Sequence, residues 1–347
     1  MNDLQAETRE EQGFHKPSLK LSYTLRALRY RNFRLFFAGQ LISLIGTWMQ
    51  TVAQSWLIYR ITGSSLLLGT VGFAGQIPVF LIAPLGGIVA DRYNRHRIVI
   101  ATQTASMTLA LVLAWLTLTG TIAVWHIVAL SALLGLANAF DIPARQSFIV
   151  EMVGKADLTN AIALNSSMFN SARMIGPAVA GILVAIIGEG WCFFANGVSY
   201  LAVIAGLLMM RFTPIRPKAQ ADSVLENILE GFQFARNSAP IRLLLLLLAL
   251  SSLVGTPYTV LMPIFAGEIL HRGPRGLGIL MAASGIGALL AALTLAARIG
   301  LHGLGRWIVL ACGGFGLSLV LFAFSRSFWL SVILLIPTGY ALMVQMG

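Results

Sequence analysis

Apolar residues gather into ten runs along the chain, near 35–59, 66–90, 98–119, 123–143, 160–187, 192–212, 241–266, 276–297, 307–324 and 328–347. A helix needs about 20 mostly apolar residues to cross the hydrocarbon core of a bilayer. The pattern therefore predicts an all-α membrane protein of ten spanning helices, with polar residues interrupting the fourth and fifth. Between the sixth and seventh runs, Pro214 and Pro217 precede Ser223 and Glu226, which are spaced as a helix-starting capping box. Leu225, Ile228, Leu229 and Phe232 follow at helical spacing, so a short amphipathic surface helix is expected there. Leu21, Leu25 and Leu28, mixed with Arg26 and Arg29, read the same way. The chain then divides into an N-terminal segment 1–33, a six-helix half 34–212, a linker 213–239 and a four-helix remainder 240–347.

The basic residues orient this array. With the N-terminus inside, seven Lys/Arg precede the first run, three follow the second, two the fourth, five the sixth and two the eighth. The outer loops hold only Arg60, Arg272, Arg275 and Arg326. Basic residues accumulate on the cytoplasmic side of membrane proteins, so the N-terminus is expected in the cytoplasm of a bacterial inner-membrane protein. The same asymmetry accounts for the net charge of +11 without nucleic acid.

Composition agrees with a bilayer environment. The chain is 57% hydrophobic and 11% charged, against about 25% charged in a soluble domain. Cys192 and Cys312 both sit inside apolar runs, and the five histidines have no metal-ligand spacing. No Gly-x-x-x-x-Gly-Lys-Ser/Thr loop, His-Glu-x-x-His or Gly-x-Ser-x-Gly is present, which argues against an ATP-driven pump in one chain and against a hydrolase.

The sharpest motif joins runs two and three: Gly87, then Asp91-Arg92, then Arg95 and Arg97. The glycine suits a close helix crossing. The acid suits a helix N-terminus or an arginine partner at the membrane edge. A plain stop-transfer charge cluster is the alternative, and it requires neither the acid nor the glycine. Asn138, Asp141 and Arg145 fall on one face of the fourth helix, where Asp141 can pair with Arg145 or reach Arg95. Such a pair is either part of a gate or a static neutralisation of two costly charges. In the fifth run Ser166, Asn170 and Arg173 share a face ahead of Gly176-Pro177 and Gly181. Arg173 falls near mid-membrane, where a charge usually faces a cavity. Ser43, Thr47, Gln50 and Gln54 stripe the first helix, and Gln76 precedes Pro78 in the second. These amides either line a cavity or bond between helices.

The segment from Gly87 to Arg97 resembles the loop-2-3 signature of the major facilitator superfamily. Phe36-Phe37-Ala38-Gly39-Gln40, Phe140-Asp141-Ile142-Pro143-Ala144-Arg145 and Gly176-Pro177-Ala178-Val179-Ala180-Gly181 resemble its branch of bacterial enterobactin exporters and macrolide-type efflux proteins. The resemblance covers nearly the whole chain. It implies the major facilitator fold, two six-helix halves, and proton-linked export of a small organic molecule by alternating access. It also implies no cofactor, with the proton gradient as energy source, and a monomer in the bilayer. A lysolipid carrier shares the fold, and a non-transporting scaffold or sensor is the reading from another class. The resemblance assigns Asp91, Arg92 and Arg95 to a latch between the halves, and we group Gly87, Arg97, Asp141 and Arg145 with them. Gly176, Pro177 and Gly181 resemble the antiporter motif of the fifth helix, although Ala180 stands where the fuller motif has glycine. Gln50, Gln54, Gln76, Asn170 and Arg173 are the cavity candidates.

A repeat at an offset of 209 residues supports two parallel halves. Ser43-Leu44-Ile45-Gly46 matches Ser252-Leu253-Val254-Gly255, Leu68-Gly69 matches Leu277-Gly278, and Arg97 matches Arg306. By that offset Gly347 maps onto Asn138, so the expectation is a second half that stops within its tenth helix.

Overall fold

The computed structural model describes residues 25–211, 257–296 and 304–346, with scattered residues between 233 and 253. It is all helix among the described residues. A 3-10 turn, Arg26–Arg29, precedes α1 (Arg31–Thr62), α2 (Ser65–Arg92), α3 (Arg95–Leu118), α4 (Val124–Val153), α5 (Leu158–Ile187) and α6 (Glu189–Leu208). Then come α7 (Pro257–Ile264) with a π turn at Phe265–Ile269, α8 (Gly273–Ala296), α9 (Leu304–Phe324) and α10 (Phe328–Met346). Nine of these helices are long and apolar enough to cross a membrane. The expected linker helix from Ser223 to Phe232 lies outside the described residues, as do Leu21 and most of the repeat partner Ser252–Gly255.

Large apolar side chains face outward on these helices, among them Leu66, Phe80 and Phe324, each more than three-quarters exposed. In water that surface would be costly, whereas in hydrocarbon it costs nothing. Association inside a bilayer then depends on close packing, and small residues provide it. A side chain at Gly39 would strike Ala202 and Val203 on α6, and one at Gly176 would strike Trp48 and Ile45 on α1. Gly63 ends α1 in the left-handed conformation at φ 61°, donating its N–H to the Tyr59 carbonyl at 2.8 Å.

The main departure from expectation is α4. Pro143 reads as the end of the fourth run, yet the helix continues through it to Val153. Proline removes the hydrogen bond to the carbonyl four residues earlier, which here is Ala139. That carbonyl lies against Gly86 of α2, where any Cβ would collide with it. The same device recurs in α5. Pro177 frees the Arg173 carbonyl, which a Cβ at Gly285 of α8 would approach to 2.9 Å. Each proline is tolerated because a glycine on the facing helix brings its backbone to the freed oxygen, a recognised weak contact.

Charges mark the two ends of the bundle. At the basic end Asp157, nearly buried, pairs with Arg26 at 2.9 Å and Arg29 at 2.7 Å and accepts the Tyr30 hydroxyl at 2.7 Å. The Ala27 N–H donates to Asn160 at 2.8 Å, so the turn is docked on the start of α5 rather than lying as a free surface helix. At the opposite end Arg60 of α1 forms a two-pronged pair with buried Glu189 of α6, at 2.7 and 3.3 Å.

Candidate functional site

A cavity of about 760 Å³ opens between α1, α2, α4, α5 and α6 on one side and α7, α8 and α10 on the other. That is the size of a small-molecule site. Its first wall carries most of the polar groups, set among apolar side chains that include Val52, Leu68, Val71, Phe73 and Leu134. Gln50 and Gln54 of α1, Gln76 of α2, Asn138 of α4, Arg173 of α5 and Asn196 of α6 all reach it. The amides are held in place. Asn196 donates to the Gln50 oxygen at 2.7 Å, and Gln54 donates to the Ser131 hydroxyl at 2.8 Å. Among the described residues, the opposing wall presents Val260, Pro263, Leu277, Met281 and Leu342, with the hydroxyls of Thr259 and Ser284 as its polar groups.

Arg173 is the cation of this cavity. Its guanidinium lies 5.5 Å from the centre of the Trp48 ring, and Trp48 meets Phe169 edge-on at 5.6 Å. Among the described residues no carboxylate comes within ion-pair distance of Arg173. A guanidinium held by an aromatic face, with its donors unclaimed by an acid, is suited to an anionic group on a ligand.

The α5–α8 crossing packs tightly beside the cavity, which Pro177 and Leu277 line. Gly181 and Gly278 face each other so closely that a Cβ on Gly278 would sit 2.7 Å from the Gly181 Cα. Gly176 lets α5 settle on α1, and Pro177 lines the cavity. All three residues of the fifth-helix motif therefore act in packing around the site.

Of the five cavity candidates from the sequence, Gln50, Gln54, Gln76 and Arg173 meet in the cavity. Asn170 does not. It is buried and donates to the Ser166 carbonyl of its own helix at 2.9 Å. Trp48, Ser131, Asn196 and Tyr200 also line the cavity and were missed. Asn196 and Tyr200 sit four apart in a long apolar run, and that polar spacing was the available signal.

The residues grouped as a latch separate into two places. At the basic end Arg95 holds Asp91 at 3.2 Å, Glu151 at 2.8 Å and the Ala90 carbonyl at 2.9 Å. Asn94 caps α3, accepting the Arg97 N–H at 3.2 Å, and the Arg92 and Arg97 side chains are exposed. The close approach expected at Gly87 falls one residue earlier, because a Cβ on Gly87 would meet nothing. Asp141 does not reach Arg95. It lies inside the six-helix group, paired with Arg145 at 3.1 Å and accepting from Thr102 at 2.8 Å and Gln103 at 3.0 Å. Glu151 takes the place expected of Asp141, because α4 runs on past Pro143 and carries it to the basic end.

Comparison with known proteins agrees with this architecture. Residues 22–346 match the family model described as transmembrane secretion effector. The chain is 26% identical over 290 residues to the staphyloferrin A transporter of Staphylococcus aureus, covering 83% of this chain and 72% of that one. It is 22% identical over 273 residues to macrolide efflux protein A of Streptococcus pyogenes, covering 77% and 67%. It is also 27% identical over 270 residues to an enterobactin exporter of Shigella boydii, covering 76% of this chain and 62% of that one. Among solved structures, the nucleoside transporter NupG superposes with a TM-score of 0.67 at 16% identity, over 92% of this chain and 80% of its own. A bacterial homologue of the human lysosomal transporter Spinster, inward-facing and unoccupied, gives 0.60 at 18% identity, over 95% and 74%. Both likenesses bear on the fold.

Proposed function

Because this chain belongs to the transmembrane secretion effector family of the major facilitator superfamily, we propose that it exports a small amphiphilic molecule of siderophore or drug type. It is a transporter related to siderophore and drug exporters. On this reading export proceeds by alternating access, driven by proton influx, in a monomer whose N-terminus is cytoplasmic. The 34–212 and 240–347 segments move against each other about the linker. Gly87, Asp91, Arg92, Arg95 and Arg97 act at the basic end as the latch of one state.

One observation carries this reading: among the described residues, the cavity between the two groups of helices gathers its amides and its cation on one mixed wall and faces them with a mostly apolar one. A ligand that satisfies both is an amphiphile bearing an anionic or strongly accepting group. Arg173, which pairs with no carboxylate among the described residues, supplies the charged contact, and Met281 with Leu277 the apolar one.

The test is transport into inverted vesicles containing the 347-residue protein, with an acid-inside gradient. Enterobactin, a macrolide and lysophosphatidylcholine serve as probes. Uptake of enterobactin or the macrolide that collapses with a protonophore is the expected result. Uptake of lysophosphatidylcholine alone would point instead to a lipid carrier, and gradient-independent uptake would refute proton coupling.

A further inference from the structure

Asp141 belongs to neither the cavity wall nor the charged edge. It is 3% exposed and sits within the six-helix group. Around it runs a file of buried polar side chains: Thr102, Gln103 and Ser106 of α3, then Tyr200 of α6. The Tyr200 hydroxyl lies 3.4 Å from the Thr47 hydroxyl, with Ser106 and Asn196 as further polar neighbours. Tyr200, Thr47 and Asn196 all line the cavity. Tyr200 thus has Asp141 in its surroundings on one side and lines the cavity on the other. Arg145, one turn further along α4, is partly exposed and stands on the other side of Asp141.

We propose that Asp141 takes up and releases the coupled proton, with Ser106 and Tyr200 as its route to the cavity. This rests on the proton-linked exporter reading. Two neighbours are built for both forms of the carboxyl group. A carboxylate only accepts, and Asp141 Oδ1 accepts from Thr102 and from the Gln103 amide. That leaves the Gln103 oxygen buried with no partner, a costly arrangement in a static pair. Rotating the amide would bring this oxygen to Asp141, where a protonated carboxyl would donate to it. The Thr102 hydroxyl likewise has a second acceptor, the Val99 carbonyl at 3.0 Å, to which it can turn when Asp141 is neutral.

The step balances simply. A proton from cavity water forms an O–H bond on the carboxylate, no electrons are transferred, and the pair with Arg145 changes from neutral to a single positive charge. Arg145 and Tyr200 are the ionisable groups placed against Asp141. Once Asp141 is neutral, the partly exposed Arg145 loses the charge that holds it inward and turns toward the basic end, where α4 also carries Glu151 against Arg95. Proton uptake is thereby linked to the edge at which the latch residues sit.

pH-difference infrared spectra of the 347-residue protein in lipid nanodiscs test this directly. Lowering the pH is expected to bring up a carboxylic-acid C=O band that Asp141→Asn lacks. Asp141→Glu should keep the band at a shifted frequency, which guards against a folding artefact in the first variant. Gln103→Leu should move its frequency, and Arg145→Gln should make it appear at higher pH. A band that persists unchanged in Asp141→Asn, or no band down to the onset of unfolding, overturns the assignment. Proton-driven efflux with Asp141 always ionised would overturn this assignment alone. A titrating Asp141 in a protein that moves nothing would overturn the exporter reading beneath it.

Discussion

The wall that α1, α2, α4, α5 and α6 give the cavity differs in kind from the wall given by α7, α8 and α10. The first holds five amide side chains, Gln50, Gln54, Gln76, Asn138 and Asn196, and it holds Arg173. The second, among the described residues, offers apolar side chains and two hydroxyls, and one of these, Ser284, is already bonded to Tyr258 at 2.8 Å. A site with one polar and one apolar face orients an amphiphile, because reversing the ligand would leave amides unpaired on one side and a charge against hydrocarbon on the other. On the proposed exporter reading, Arg173 and the amides would set specificity, and the facing wall would add affinity with little selectivity.

The largest effect comes from forcing the walls apart. Gly278→Val places side-chain atoms against the Pro177 carbonyl and Gly181. Backbone cannot give way cheaply there, so overpacking should cost about 1–3 kcal/mol. Loss of saturable ligand binding and a lower thermal transition are expected, and unaltered binding would show that the α5–α8 crossing does not shape the site. Next is Arg173→Ala. A hydrogen bond to a charged group contributes about 1.5–3 kcal/mol, so affinity for an anionic amphiphile should fall about 10- to 100-fold. Arg173→Lys should recover only part of this, since it keeps the charge but loses the planar fork over Trp48.

A smaller change is expected on the apolar side. Met281→Ala removes apolar contact worth about 1 kcal/mol or somewhat more, so anionic and neutral amphiphiles should both weaken by roughly fivefold. A selective loss of one class would contradict the division between the walls. The smallest effect on either wall is expected at Asp157. The Tyr30 hydroxyl is the main cause holding its carboxyl below the usual range; burial opposes this, and Arg26 and Arg29 assist it. A carboxylate with a depressed folded value stabilises fully above the ordinary value of about 3.9 and loses that contribution as pH falls through the folded one. Hydrogen exchange at the Ala27 amide should therefore stay protected at neutral pH and open only in stronger acid. Asp157→Asn should open it at neutral pH while leaving ligand affinity unchanged.

The helices were legible in the sequence because a bilayer demands long apolar runs, and Arg173 stood out because a mid-membrane charge is rare. What stayed hidden depended on partners distant in sequence. Pro143 looked like a helix end because the glycine that accommodates it, Gly86, belongs to another helix. With the end of α4 misplaced, Glu151 could not be seen as the partner of Arg95; of the two arginines open to Asp141, the structure selects Arg145, one turn along its own helix. Asn170 shares the face of Arg173 by spacing, but its amide satisfies itself on the Ser166 carbonyl. Helical periodicity identifies a face and leaves open which side chain bonds locally.

The central claim is that Arg173 reads an anionic group while the facing wall reads hydrocarbon. The most direct measurement is quenching of Trp48 fluorescence in the 347-residue protein, with Trp48→Phe as the blank. Dodecanoate and dodecanol are titrated against wild type and Arg173→Ala. The account predicts that wild type binds dodecanoate more tightly than dodecanol, and that Arg173→Ala binds the two alike. Equal binding of both by wild type, or an undiminished preference for dodecanoate in Arg173→Ala, would contradict it.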